Sequence, residues 1–212
     1  MKKRVLCYGD SNTWGAVPED GSRYPEDIRW TGVLKRELGD GYQVIEEGHN
    51  GRVSVFDDVL EGRLSGIQYF GPCCDSQSPL DLIILMLGTN DLKERFGVSA
   101  RTIAFGFQRY LDVLAITPMA GEKPKVLLVS PIHIDPSYKN HPLFYDMFGE
   151  HGTERSQALA QAYEEFAKGA GLAFLDASLY AKAATVDGVH MHPDSHERLG
   201  RAMAAKVREI LE

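Results

Sequence analysis

Only three cysteines, Cys7, Cys73 and Cys74, occur in 212 residues. An odd count with two adjacent members builds no disulfide framework, and the spacing suits no zinc site. A reduced, cytoplasmic protein is the expectation. Long apolar runs are also missing. The longest, LIILML at Leu82 to Leu87, falls far short of the roughly 20 residues of a membrane span. The basic start Lys2-Lys3-Arg4 leads into an apolar stretch that ends at Gly9-Asp10, too soon for a secretory signal. Positive charge is in the minority, with 23 Lys and Arg against 30 Asp and Glu and a net charge of −7. That balance disfavours nucleic acid and anionic membranes, which reward clustered cations. There is no charged tail, no internal repeat, no low-complexity linker and no Gly-x-Ser-x-Gly. The last absence speaks against the α/β-hydrolase elbow.

What remains is an ordinary globular composition and a length suited to one core, so residues 1–212 are read as a single domain. Five apolar segments predict strands: Arg4–Tyr8, Tyr42–Glu47, Leu82–Leu87, Lys125–Ser130 and Leu172–Leu175. The third and fourth are continuous rather than alternating, as strands covered on both faces require. Between them lie helical patterns over Asp27–Leu38, Thr102–Ala115, Glu154–Ala170 and Ser195–Leu211. Strands alternating with helices predict an α/β chain with a parallel sheet between two helical layers. Val55–Ser78 breaks the pattern as a Gly-rich, irregular stretch. Ile134–Gly152 breaks it as a long aromatic-rich connection.

In an open parallel sheet the site forms beyond the carboxyl ends of the strands. Gly9-Asp10-Ser11-Asn12-Thr13 follows the first strand, Gly48-His49-Asn50-Gly51-Arg52 the second, and Gly88-Thr89-Asn90-Asp91 the third. His133 follows the fourth, and Asp187, His190 and His192 precede the last helix. A serine is a weak nucleophile until a base takes its proton. Asp187, three residues before His190, can turn back to hold Nδ1–H and leave Nε2 for Ser11. The backbone N–H groups of Ser11 and Gly51 and the side-chain amide of Asn90 are candidate oxyanion donors. Losing one such donor typically costs about 3 kcal/mol of transition-state stabilisation.

Asp10, Trp14 and Arg52 are candidate substrate contacts. Trp14 and Trp30 could each floor an acyl pocket or simply fill the core. Arg52 could steer an acidic group or pair with Asp57 or Asp58. Asp91 is expected to brace its loop, and His192 and His196 to face solvent at a helix start. A metal reading of the His-rich stretch is disfavoured because Pro193 delays the helix that would align those histidines.

The order Gly-Asp-Ser, Gly, Gly-x-Asn-Asp and Asp-x-x-His resembles the SGNH (GDSL) hydrolases, with Ser11, Gly51, Asn90 and His190 at the four named positions and Asp187 completing the triad. The stretches CYGDSNTWG, DIRWTGVL, VIEEG, MLGTNDLK, KVLLVSP and DGVHMHPDSHERLG are closer still to the small bacterial arylesterases and acyltransferases. Asn12 stands where leucine is common in that group. The resemblance implies a flavodoxin-like sheet, no metal or other cofactor, and hydrolysis or transfer of short acyl groups. It also implies a homo-oligomer of up to eight chains and favours a subunit contact for the Leu143–Phe148 segment, which could otherwise be a lid or a local minicore. The same residues could instead serve a carbohydrate O-deacetylase, a thioesterase or a lysophospholipase. A phosphate- or flavin-binding flavodoxin-like protein is the reading outside catalysis, and it lacks the glycine run that a phosphate cradle needs.

Overall fold

Alternate side chains of the first strand, β1 (Lys3–Gly9), feed two different cores, as the period of a strand dictates. The computed structural model describes residues 2–63 and 65–212. Val5 and Cys7 join one cluster with Trp30, Leu34, Leu199 and Met203. Leu6 and Tyr8 join the other with Phe70, Phe107, Tyr110 and Tyr163. Chain order runs from β1 through a one-turn helix α1 (Ser11–Trp14), α2 (Trp30–Leu38), β2 (Tyr42–Gly48), α3 (Gly66–Gln77) and β3 (Leu82–Met86). It continues with α4 (Ala100–Ile116), β4 (Lys125–Ser130), α5 (Pro142–Phe148), α6 (Gly152–Ala170), β5 (Ala173–Asp176) and α7 (Pro193–Leu211). The four strand pairings within the sheet are parallel and the strand order is β2-β1-β3-β4-β5. This is the flavodoxin-like order, which reverses direction between β1 and β3. Cys7, Cys73 and Cys74 are free and buried. No helix among the described residues is long and apolar enough to cross a membrane.

The five strands and four long helices match the sequence expectation to within a few residues at their ends. Two segments do not. The stretch expected to be irregular contains α3, although Gly66, Gly71 and Pro72 all lie within it. Burial of Phe70, Cys73 and Cys74 on one face outweighs that poor local propensity. The connection expected to be a long loop holds a 3-10 turn at Pro136–Asn140 followed by α5. Each begins on a proline, whose fixed φ suits a first helical turn. Phe144 and Phe148, one turn apart on α5, stack at 6.3 Å between ring centroids.

His196 is a further departure: it is fully buried rather than facing solvent. The α2 start packs on it, and the Trp30 backbone N–H donates to its Nδ1 at 3.2 Å. Burial, with His190 and Arg29 nearby, pushes its pKa down to about 4. An unfolded histidine titrates near 6.5. The contribution of neutral His196 is therefore complete above pH 6.5 and is lost as the pH falls through 4. At about 1.4 kcal/mol for each pH unit between the two values, the loss approaches about 3 kcal/mol. Asp10 and Asp91, both pushed up to about 6 by burial, act with the opposite sign in that range. A His196→Asn comparison isolates the histidine, because an amide oxygen accepts the same N–H without titrating. Between pH 7 and 4.5 the wild type is expected to lose about 5–10 °C in Tm relative to that variant. A gap that is constant with pH would contradict it.

Candidate active site

The turn after β1 is built around an acidic cap. The Asp10 carboxylate accepts from the Asn12 backbone N–H at 3.0 Å, and its carbonyl accepts from Thr13 and Trp14 N–H at 3.1 and 2.9 Å. This closes α1 and makes Ser11 its first residue, 8% exposed at the carboxyl edge of the sheet. Gly48 at the end of β2 leaves room for the turn, since a Cβ there would lie 2.1 Å from Trp14 N. A single turn carries little macrodipole, so α1 brings the Ser11 N–H itself rather than a helix field.

On the loop before α7, Asp187 is 2% exposed and its Oδ1 accepts from the backbone N–H groups of Val189 and His190 at 2.8 and 2.9 Å. Its Oδ2 lies 2.6 Å from His190 Nδ1, and His190 Nε2 lies 2.9 Å from Ser11 Oγ. A carboxylate only accepts, so Nδ1–H is the donor and Nε2 is left with a lone pair toward the serine hydroxyl. Asn12 holds this loop to α1: its Nδ2 donates to Val189 O and its Oδ1 accepts from Met191 N–H, each at 3.2 Å. The two ends of the chain thus meet through one buried amide next to the serine. Sequence reading noted Asn12 only as a departure from the leucine common in related chains.

The loops after β2 and β3 are tied to each other. Asn90 Nδ2 donates to Arg52 O at 3.2 Å, which leaves its second N–H. The Asp91 carboxylate accepts from Ser54 N–H at 3.0 Å and from the Ser54 hydroxyl, bracing the loop as its position suggests. Tyr110 Oη–H donates to Ser54 O at 2.8 Å from the α4 side. These ties bring Gly51, at φ +73°, beside Asn90. Among the described residues the backbone N–H groups of Ser11 and Gly51 have no acceptor.

Ser11, His190, Gly51 and Asn90 share one cavity of about 170 Å³. Phe144, Met147 and Phe148 of α5 form its apolar wall, and Asn50, Glu61 and Lys93 also line it. Phe144 meets His190 edge to face, with ring centroids 5.8 Å apart. The Leu143–Phe148 segment walls the cavity of its own chain and leaves Leu143 and Tyr145 exposed. Larger surface depressions, of about 570 and 730 Å³, hold neither Ser11 nor His190.

Asp10, Trp14 and Arg52 do not line this cavity. Asp10 is spent on the cap, and burial leaves its other oxygen without a hydrogen bond among the described residues. Trp14 lies under the Arg23 guanidinium, 5.2 Å from its ring centroid. Arg52 pairs with neither Asp57 nor Asp58. It is 7% exposed, stacks 4.1 Å over the Tyr8 ring, and donates to Gly9 O at 2.9 Å and to Glu47 O. It thereby joins the ends of β1 and β2. Trp30 is in the core, and His49 and His133 lie outside the cavity wall. Sequence reading missed Glu61 altogether, passed over Lys93 at the end of the MLGTNDLK stretch, and noted the α5 aromatics without placing them at the site; only the fold brings them to the serine.

Comparison with known proteins agrees with this architecture. The family described as GDSL-like Lipase/Acylhydrolase matches residues 7–198. The aryl esterase of M. smegmatis superimposes with a TM-score of 0.92 at 40% identity, over 99% of this chain and 100% of that one. A carbohydrate acetylesterase from Sinorhizobium meliloti gives 0.92 at 38% identity over 99% and 100%. A lipase/acylhydrolase from Enterococcus faecalis, at 18% identity and a TM-score of 0.70 over 99% and 97%, is a likeness of fold alone. No curated protein sequence matches the chain. On the family match across most of its length and on these shared folds, the chain belongs to the GDSL-like lipase/acylhydrolase family and is a carboxylic ester hydrolase.

Proposed function

We propose that the chain hydrolyses short-chain, acetyl-type esters through an acyl-enzyme on Ser11. The observation that carries this reading is the Asp187–His190–Ser11 relay, with contacts of 2.6 and 2.9 Å, at one cavity of about 170 Å³. His190 Nε2 takes the Ser11 proton as Oγ attacks the ester carbonyl, and Asp187 stabilises the imidazolium that forms. The oxyanion is met by the N–H groups of Ser11 and Gly51 and the remaining Asn90 N–H. His190 then gives its proton to the departing alkoxide, and the acyl group stays on Oγ. Water, activated by the same histidine, releases the acid and restores the serine. A different alcohol in place of water gives acyl transfer.

The small cavity and its aromatic wall favour acetyl over long chains. A homo-oligomer belongs to the same reading, supported by the exposed apolar side chains of Val59, Leu60 and Phe105. The test is a p-nitrophenyl ester series from acetate to octanoate, with a serine-directed organophosphonate added to a parallel sample. Acetate is expected to be the best substrate, with one phosphonyl adduct on the peptide that contains Ser11. Hydrolysis that rises toward octanoate, or a blocked enzyme without that adduct, would refute the reading.

A further inference from the structure

Besides the α5 aromatics the cavity has a polar wall that the reaction above does not use. Lys93 is 1% exposed, and its Nζ donates to Asp58 Oδ2 at 3.0 Å and to Glu61 Oε1 at 2.7 Å. Arg95 donates to the same two carboxylates, at 2.6 Å on Asp58. These two cations and two carboxylates balance, and the Arg63 guanidinium lies beside them, its Nε 3.5 Å from where a Cβ on Gly51 would be. Two hydrogen-bonding positions remain. Glu61 Oε2 accepts from none of the described residues and lies 3.2 Å from where a Cβ on Gly51 would be, next to an oxyanion donor. The third N–H of the Lys93 ammonium likewise has no acceptor among the described residues. Both side chains line the Ser11 cavity.

A free acceptor beside a free donor suits a group that is both, and a hydroxyl is that group. The Glu61 side chain lines the Ser11 cavity and is 26% exposed, so the alcohol part of an ester can reach it from solvent. We infer that Glu61 and Lys93 form a hydroxyl-recognising subsite that selects esters of polyhydroxylated alcohols, the O–H donating to Glu61 Oε2 and its oxygen accepting from Lys93 Nζ. This rests on the reading of Ser11 as the nucleophile. The ion pairs to Lys93 and Arg95 hold the Glu61 carboxylate in place before substrate arrives, so little ordering is needed on binding.

The test compares 2-hydroxyethyl acetate with 2-methoxyethyl acetate, whose leaving alcohols have similar acidity, so that the chemical step is matched. In the wild type kcat/KM is expected to favour the free hydroxyl about tenfold, the effect of one charge-assisted hydrogen bond. In Glu61→Gln the ratio is expected to fall toward one. The amide oxygen stays with Lys93 and Arg95, and its N–H₂ takes the Oε2 position, which turns the acceptor into a donor. A wild-type ratio near or below one, which needs no variant to measure, overturns the subsite. So does a Glu61→Gln ratio that stays at the wild-type value. Hydrolysis of both esters by Ser11→Ala at the wild-type rate overturns the nucleophile and the subsite together. Loss of both in Ser11→Ala, with a wild-type ratio near one, overturns the subsite alone.

Discussion

The Ser11→Ala chain is expected to turn over p-nitrophenyl acetate about 10⁴- to 10⁶-fold more slowly than the wild type, with no burst of nitrophenol. At about 1.4 kcal/mol for each factor of ten, that is roughly 5 to 8 kcal/mol of lost transition-state stabilisation. The size follows from what one atom does here. In the proposed reaction Oγ is the atom that bonds to the acyl carbon, and among the described residues it is the only partner of His190 Nε2, 2.9 Å away. Without it the relay from Asp187 has nothing to act on, and the remaining rate comes from binding and the oxyanion donors. The fold should hardly notice. Alanine suits the first turn of a helix, and the Asp10 cap uses backbone N–H groups rather than the serine hydroxyl. Tm is expected within about 2 °C of the wild type, since no buried partner other than His190 is left unpaired. A variant that keeps even a hundredth of the activity would place the nucleophile elsewhere.

Asp187→Asn is expected to lower kcat about 10⁴-fold, with little change in KM. Two backbone N–H groups, of Val189 and His190, point at Oδ1 and require an oxygen there. The introduced amide therefore keeps its oxygen at that place and turns its N–H₂ toward His190 Nδ1. Facing a donor, Nδ1 must carry the lone pair, and the ring proton moves to Nε2. The histidine then donates to Ser11 Oγ when it should accept from it. Size, loop conformation and oxyanion donors are unchanged, so the loss reports the tautomer and the missing negative charge. Single-turnover acylation with p-nitrophenyl acetate measures it directly. A loss below tenfold would show that Asp187 does not orient the base.

Most of the candidate site was legible because it is carried by short local signals. Strand positions follow from continuous apolar runs, and strand ends are where a parallel sheet exposes side chains. That alone puts Ser11, Gly51 and Asn90 on one edge of one sheet. Asp187 and His190, three apart on one loop, need no tertiary knowledge to pair. The helix α3 was illegible because Gly66, Gly71 and Pro72 argue against helix locally, and only burial of Phe70, Cys73 and Cys74 outweighs them. The burial of His196 was illegible for a related reason. A polar residue in a helix's first turn reads as exposed until α2 is laid across it.

Periodicity and motif order, being properties of neighbouring residues, are enough for the sheet, its parallel sense, the candidate serine–histidine–aspartate set and the family. Tertiary structure alone decided the shape and polarity of the cavity. The α5 aromatics, Glu61 and Lys93 come from three separate stretches with no shared motif, and they meet only because the loops at the carboxyl edge converge over Ser11. It also decided which charged groups were spent on scaffolding. Asp10 became a cap and Arg52 a clamp between strands, because buried backbone donors and acceptors must be satisfied before any side chain is left for a substrate.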